Sequence, residues 1–231
     1  MSGAAHVFVE DIERPELGEA DRRHLGRVLR LRPGEAVTVS DGEGGWRRCR
    51  YAGSGRLDTV EAAERRPRPS PLVTVAFALT KGDRPEWVVQ KLTEVGVDRI
   101  VPVVAARSVV RWDQERGDKR LSRLRSVARA AAMQSRRAWL PTVNDLRTFE
   151  AAVLELGSSL ALAHPGGGPP SLTRPATLVG PEGGWSDDEL ASSLPRVGLG
   201  PSVLRAETAA FAAGLLMCAL RARIVAPLPG G

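Results

Sequence analysis

Cysteine and histidine are scarce in this sequence. Of 231 residues, two are cysteine (Cys49 and Cys218) and three are histidine (His6, His24 and His164). Two cysteines exclude a disulfide framework and a four-cysteine zinc site. Three histidines far apart in sequence leave no ligand set of ordinary spacing, so no metal site is expected. Long apolar runs are missing too: no stretch approaches the ~18 consecutive apolar residues of a membrane-crossing helix. Met1 to Glu10 lacks the basic region and apolar core of a secretory signal. The expectation is a soluble, cytoplasmic protein with no membrane partner and no metal. Lysine is also rare, since 30 of the 33 basic residues are arginine, which with abundant Ala and Gly points to biased codon composition.

At 42% hydrophobic and 26% charged, the composition is that of a globular chain. Its length allows one large domain or two small ones. The net charge is +6, and its distribution says more than its sum. Residues 1–70 carry 13 basic and 12 acidic side chains, residues 71–147 carry 15 and 8, and residues 148–231 carry 5 and 7. The excess sits in the middle third, as a phosphate-facing surface requires.

Residues 1–64 read as short strands with one helical insert. His6–Glu10, Ala36–Ser40, Trp46–Ala52 and Leu57–Ala63 have strand length and partial alternation, and glycine-rich turns separate them. Asp21–Leu31 reads as a short basic helix with Leu25, Val28 and Leu29 on one side. A small β-barrel domain over residues 1–66 is expected. Pro67, Pro69 and Pro71 then mark a linker.

From Leu72 the pattern changes, and a second domain over 72–231 is expected. Leu72–Leu79 is a nearly continuous apolar run, as for a strand buried on both faces. Asp83-x-x-Glu86 resembles a capping box, and Gly96 closes that helix. A strand at Ile100–Val104, a long helix over Lys119–Trp139 and a helix over Thr148–Leu156 follow. Strands are expected at Leu160–Ala163, Thr177–Val179 and Val197–Leu199, with a helix opening at Ser186-x-x-Glu189 and an apolar helix over Glu207–Arg223. Gly166–Pro170 reads as a flexible loop. Strands alternating with helices predict an α/β fold with a parallel sheet.

Two glycine-bearing loops follow strands in the last third: Gly180-Pro181-Glu182-Gly183-Gly184, and Leu199-Gly200-Pro201-Ser202-Val203-Leu204-Arg205. Ligands of open α/β sheets bind beyond the carboxyl ends of the strands, where both loops belong. Glycine lets a ligand approach the backbone, whose N–H and C=O groups can read an adenine edge. Neither loop is a P-loop, and Glu182 would repel phosphate. A cationic or zwitterionic adenosine ligand tolerates that carboxylate. The competing reading is a pair of capped turns with no ligand.

These residues also form a recognisable ordered set. His24-Leu25-x-Arg27-Val28-Leu29-Arg30-Leu31-Arg32-Pro33-Gly34 and Lys81-Gly82-Asp83-Arg84-x-Glu86-Trp87 come first. Gln90-Lys91-Leu92-Thr93-Glu94-Val95-Gly96-Val97 and Gln134-Ser135-Arg136-Arg137 follow. Gly180-Pro181-Glu182-Gly183-Gly184-Trp185-Ser186 and Leu199-Gly200-Pro201-x-Val203-Leu204-Arg205-x-Glu207-Thr208-Ala209 complete it. Taken together, across nearly the whole chain, they resemble the bacterial 16S rRNA (uridine-N3)-methyltransferase family of the SPOUT superfamily. Each motif is weak alone; the ordered combination is specific. Trp185 stands where the family pattern has Phe, and Met133 where an acidic residue is common.

The resemblance implies an N-terminal PUA-like β-barrel that binds RNA and a C-terminal SPOUT α/β domain with a deep trefoil knot. It implies S-adenosylmethionine as cofactor, 16S rRNA or the small ribosomal subunit as partner, and a homodimer, for which Phe211, Leu215 and Met217 offer an apolar excess. The implied cofactor residues are Leu162, Ala163, His164, Gly180, Pro181, Glu182, Gly183, Gly184, Leu199, Gly200, Val203 and Leu204. Methylation at uridine N3 requires loss of the imide proton, and a cation near O2 or O4 would stabilise the anion. Arg205 is assigned that catalytic role, with a phosphate clamp and an ion pair to Glu207 as competing roles. Glu182, Glu207, His164 and water are all candidates for the base. Arg22, Arg23, Arg27, Arg30, Arg136 and Arg137 are assigned to RNA, against the alternative of a solvated helix face for the first four.

Overall fold

The computed structural model describes residues 4–110 and 114–226, with the backbone alone for 114–116. The outermost residues of both expected domains, 1–3 and 227–231, lie outside the described residues. The chain forms two compact units. One comprises residues 1–69 and 129–140; the other comprises 70–128 and 141–231. The expected division at 66/72 was contiguous, whereas here residues 129–140 are counted with the first unit.

The first unit holds a five-stranded sheet of β1 (Ala5–Phe8), β2 (Ala36–Ser40), β3 (Gly45–Gly53), β4 (Arg56–Thr59) and β5 (Glu64–Arg65). β1 pairs parallel to β2; β3 runs antiparallel to β2, β4 and β5. Alternation makes both faces of β1 and β2 apolar or polar-satisfied. Val7, Val37 and Val39 point into a core with Leu17, Leu25, Cys49 and Tyr51. His6, Thr38 and Ser40 point the other way and are buried as well. Residues 129–140 account for that second face: the Ser40 hydroxyl donates to the Arg137 carbonyl, and Arg129 stacks on Phe8 and pairs with Asp21.

The basic helix expected over Asp21–Leu31 is shorter and irregular. It is α1 (Glu19–Arg23) followed by a π-helical stretch, His24–Val28. Leu25 is its one fully buried anchor, and Val28 and Leu29 are exposed rather than packed.

The second unit holds β6 (Thr74–Ala78), α2 (Arg84–Val95), β7 (Arg99–Val104) and α3 (Gln114–Gln134), whose last turns belong to the first unit. Then come β8 (Thr142–Val143), β9 (Arg147–Thr148), α4 (Phe149–Leu156), β10 (Leu160–Gly168), β11 (Ala176–Val179), α5 (Asp187–Leu190), β12 (Arg196–Val197) and α6 (Ala206–Arg221). The seven-stranded sheet has the order β12-β10-β11-β6-β7-β8, with β9 also on β7, and each pairing is parallel.

β6 explains the arrangement. Val75 and Phe77 face one cluster, with Val88, Leu92, Ile100, Leu124 and Met217. Ala76 and Ala78 face the opposite cluster, with Val101, Val103, Phe149, Leu162, Leu178 and Trp185. A strand buried on both sides must be continuously apolar, which is why the run in the sequence does not alternate. α6 lies close on α2 at Gly214, where a Cβ would stand 2.5 Å from Leu92 Cδ2 and 2.8 Å from Val97 Cγ2. Arg221 at the end of α6 is buried against Asp98 and donates to the Gly96 carbonyl at 2.8 Å.

Four expectations change. The long helix ends at Gln134 rather than Trp139, because Arg136 turns to φ 54° and Trp139 bridges to Gly42 and Glu43. Gly166–Gly168 continue strand β10, and Gly168 pairs with Val197 instead of looping out. Asp83 does not cap α2, and Glu86 pairs with Arg123. Met217 is buried in its own unit's core, so only Phe211 and Leu215 of the expected apolar excess remain on the surface side. Ser186 and Glu189, by contrast, form the expected reciprocal capping box.

Candidate active site

The parallel register sends the loops after β6, β7, β10 and β11 to one edge of the second unit's sheet. There, a cavity of about 600 Å³ opens between the loop after β11, the bend of β10 and the loop preceding α6. It is lined by Ala163, His164, Gly180, Pro181, Glu182, Gly184, Leu199, Gly200, Val203, Leu204 and Arg205, all expected from sequence.

Two expected residues lie elsewhere. Leu162 is 1% exposed and sits in the apolar cluster beneath the cavity. Gly183 faces away from the cavity: a Cβ there would stand 3.3 Å from Arg107 Cβ and 3.4 Å from its carbonyl oxygen. Gly183 is thus the one residue of Gly180–Gly184 that faces a neighbouring loop instead of the cavity.

The cavity wall is built by Trp185, which sequence reasoning treated only as a departure from a pattern. Its indole N–H donates to the Ala163 carbonyl at 3.0 Å and its ring meets Phe149 edge to face. Gly180 must be glycine against that ring, since a Cβ would approach Trp185 to 2.9 Å. Gly184 has φ +69°, a conformation other residues adopt at a cost. Val203, 89% exposed at the tip of its loop, is an apolar side chain with no packing partner to explain it.

The charges around the cavity are sorted. Arg84, at the start of α2, pairs with Glu182 at 2.8 Å and approaches Glu207 at 3.8 Å. Glu207 is thus not the partner of Arg205, and its Oε2 is buried without a hydrogen bond. Arg205 sits exposed at the N-terminal end of α6, with no carboxylate against it among the described residues. The ion-pair role considered for Arg205 is therefore the one the geometry disfavours. His164 Nδ1 lies 2.6 Å from the Pro165 carbonyl, so that nitrogen carries the proton and Nε2 is the open one.

The six arginines expected to meet RNA all fall in the first unit, and they are not equivalent. Arg22 donates to the Leu17 carbonyl at 2.7 Å, and Arg23 pairs with Glu19. Arg27 and Arg30 are exposed with no carboxylate partner among the described residues, and so is Arg136. Arg137 is half-buried, with its carbonyl taken by Ser40.

A family model for the RNA methyltransferase domain matches residues 67–217, and one for an RNA methyltransferase PUA domain matches residues 17–58. The chain belongs to the RNA methyltransferase family. The ribosomal RNA small subunit methyltransferase E of Mycobacterium bovis is 37% identical over 82% of this chain and 80% of its own length. That of Synechocystis sp. is 34% identical over 84% of this chain and 69% of its own length. The crystal structure of the Neisseria gonorrhoeae ribosomal RNA small subunit methyltransferase E bound to S-adenosylmethionine superposes with a TM-score of 0.79. It is 30% identical and covers 94% of this chain and 98% of that one.

Among the described residues of this RNA methyltransferase family member, no helix is long and apolar enough to cross a membrane. Among them, too, no group of three or more His, Cys, Asp or Glu is placed to hold a metal. Sequence reasoning missed Pro165, Val179, Leu190, Ser202, Ala206 and Ala209 in the cavity wall. Most are small apolar residues whose role depends only on which loop they end up facing.

Proposed function

We infer that the protein is an S-adenosylmethionine-dependent methyltransferase acting on 16S rRNA of the small ribosomal subunit. The observation that supports this most is the glycine-walled cavity at the carboxyl edge of a parallel sheet, in a chain of this family. The cavity suits the ligand: Leu199, Leu204 and Val179 offer an apolar slot for a flat adenine, and the glycine loops expose backbone groups for its edge. Arg84 offsets Glu182, leaving a site without strong net charge, as a sulfonium that loses its charge on reaction requires. When bound, S-adenosylmethionine supplies an electrophilic methyl group.

The acceptor proposed is N3 of a uridine. The new N–CH3 bond replaces the sulfur–CH3 bond, and the N3 proton passes to water. Arg205 is proposed as the catalytic cation, holding O2 or O4 while negative charge develops on the ring. The cofactor residues proposed are those lining the cavity, and Arg27, Arg30 and Arg136 are the proposed RNA contacts of the first unit. A PUA-like barrel over residues 1–66, a knotted SPOUT domain over 72–231 and a cytoplasmic homodimer complete the reading. The dimer is supported by an apolar face: Trp87, 40% exposed, meets Phe211 edge to face at 6.0 Å, and Leu215 beside them is 43% exposed. Twofold assembly would cover that face with its own copy.

Mass spectrometry of rRNA nucleosides from a deletion strain tests the activity. Loss of 3-methyluridine, restored by the wild-type chain but not by Arg205→Ala, is expected. Retention of 3-methyluridine in the deletion strain would overturn the assignment.

A further inference from the structure

We propose that the second unit grips RNA itself, through Lys81 and Arg107 at the carboxyl edge of its sheet, with Arg107 held in place by the buried carboxylate of Glu189. The inference rests on the reading of the chain as an RNA methyltransferase.

The argument begins with the register. β6, β7 and β11 pair side by side and parallel, Phe77 opposite Pro102 and Val179. The loops that follow them therefore leave the sheet on the same side. Lys81 lies in the loop after β6 and Arg107 in the loop after β7. The loop after β11 carries Glu182 and Gly184 of the cavity wall. Two cations thus stand along the edge that the cofactor cavity opens on.

Both are unneutralised. Lys81 and Arg107 are exposed, and neither meets a carboxylate among the described residues. Several other arginines of this unit are paired: Arg84 with Glu182, Arg123 with Glu86, Arg125 with Asp145, Arg147 with Glu155. Of the acidic groups at the edge, Glu182 and Glu207 face Arg84, while Asp83 and Asp187 stay exposed to solvent. Cations left free on a rigid edge are what a polyanion needs.

The mounting of Arg107 is the second, independent observation. The residues on either side of Arg107 are tied down. The Ala105 N–H donates to Ser108 Oγ at 3.0 Å, and both residues are buried. The Ala106 N–H donates to Glu189 Oε1 at 2.8 Å, while the Ser186 N–H donates to Oε2 of the same carboxylate at 2.8 Å. Glu189 is only 4% exposed and pairs with no cation among the described residues; its charge is satisfied by two backbone N–H groups from two loops. Burying a carboxylate is costly, and here the return is a fixed relation between the Arg107 loop and the glycine loop. Among the described residues the Arg107 guanidinium meets the Gly183 carbonyl at 3.4 Å and no carboxylate, which leaves it available. Arg107 lies behind Gly183 rather than in the cavity, which places it for a phosphate flanking the target nucleotide and not for the base. Lys81, a point charge, suits a second phosphate.

The test uses the full-length protein and deproteinised 16S rRNA lacking the modification. Equilibrium binding is measured across a salt series, beside S-adenosylmethionine affinity by calorimetry. Lys81→Ala and Arg107→Ala are each expected to weaken RNA binding about three- to tenfold and to reduce the slope of log K against log salt by about 0.7–0.9. Cofactor affinity should stay within about twofold, because neither residue lines the cavity. Arg107→Lys should restore the slope. Glu189→Gln keeps one acceptor and loses the other; it should weaken RNA binding in the wild-type background and add nothing in the Arg107→Ala background. Salt slopes unchanged in both Lys81→Ala and Arg107→Ala would overturn the proposal even if the wild type methylates rRNA normally. A wild type that binds RNA with these residues but transfers no methyl group would sustain the proposal and remove the enzymatic reading instead.

Discussion

Both units pair arginine with carboxylates, but among the described residues the first unit alone also stacks it on aromatic rings. In the first unit some arginines lie on aromatic faces, and two of these, Arg48 and Arg129, also pair with Glu61 and Asp21. Arg66 sits 4.3 Å and Arg48 5.7 Å from the ring centre of Trp46, Arg68 lies 5.2 Å from Trp139, and Arg129 covers Phe8. In the second unit many pair with carboxylates, as in the group of Arg99, Arg147 and Glu155. A stacked guanidinium keeps its charge and its in-plane donors, whereas a paired one has lost both to its partner. Stacking therefore leaves Arg66 and Arg68 charged in the first unit, while in both units an arginine that meets a carboxylate, such as Arg47 or Arg125, is neutralised. An arginine count from composition cannot make that distinction.

The comparison breaks most sharply at Asp98. Its carboxylate is buried with Arg221, so Asp98→Ala should leave a buried guanidinium unpaired and cost about 3–5 kcal/mol. Thermal unfolding followed by circular dichroism should show a large fall in Tm. No stacked arginine of the first unit should approach this: Arg68→Ala should cost about 1 kcal/mol or less.

The first unit has its own buried titratable group. His6 lies between Thr38 and Ser40, and burial pulls its pKa from 6.5 down to about 4. Its folded value is below its unfolded one, so the unfolded chain binds the proton first as pH falls. Stability should be fully present above about pH 6.5 and drain away towards pH 4, by about 2–3 kcal/mol in all. Glu155 acts in the same direction at lower pH, because the hydrogen bond from Arg147 holds its carboxyl below the usual range. Urea unfolding at a series of pH values should show the His6 component vanish in His6→Gln; an unaltered profile would place the loss elsewhere.

Smaller effects sharpen the site. Gly180→Ala presses a methyl group on Trp185 and should weaken S-adenosylmethionine binding at least about tenfold, while Gly183→Ala, which meets Arg107 instead, should alter it little. Calorimetry of the two variants tests which face of the loop holds the ligand. Smallest is the first unit's contribution to RNA affinity. Arg27→Ala with Arg30→Ala should reduce the salt slope by up to about 1.8, whereas Arg23→Ala, already paired with Glu19, should change it less.

Much of the architecture was legible because it depends on local pattern. The unbroken apolar run ending at Leu79 marked β6 as buried on both faces, and Ser186-x-x-Glu189 marked the start of α5. Gly96, with φ 101°, ended α2 where expected. The glycine loops were expected beyond strand ends, and residues of both line the cavity. The failures share a cause. Trp139 was read as helix because nothing within a few residues announces that Gly42 and Glu43 will bridge to it. Gly166–Gly168 read as a loop because a strand made of glycine has no side-chain pattern, and only its pairing with Val197 makes it one.

Sequence by itself determined the parallel α/β character of residues 72–226, the two glycine loops and the cationic bias, since each follows from spacing and composition. Tertiary structure alone decided which face each loop residue presents and which charges are left over. Leu162 turned from the cavity because successive residues in a strand point opposite ways, and Gly183 because the turn closed by the Gly184 N–H on the Pro181 carbonyl carries it against Arg107. Glu189 could be read as a cap from Ser186 three residues before it. That its other oxygen holds Ala106, 83 residues earlier in the chain, follows only from β7 and β11 flanking β6 in one parallel sheet.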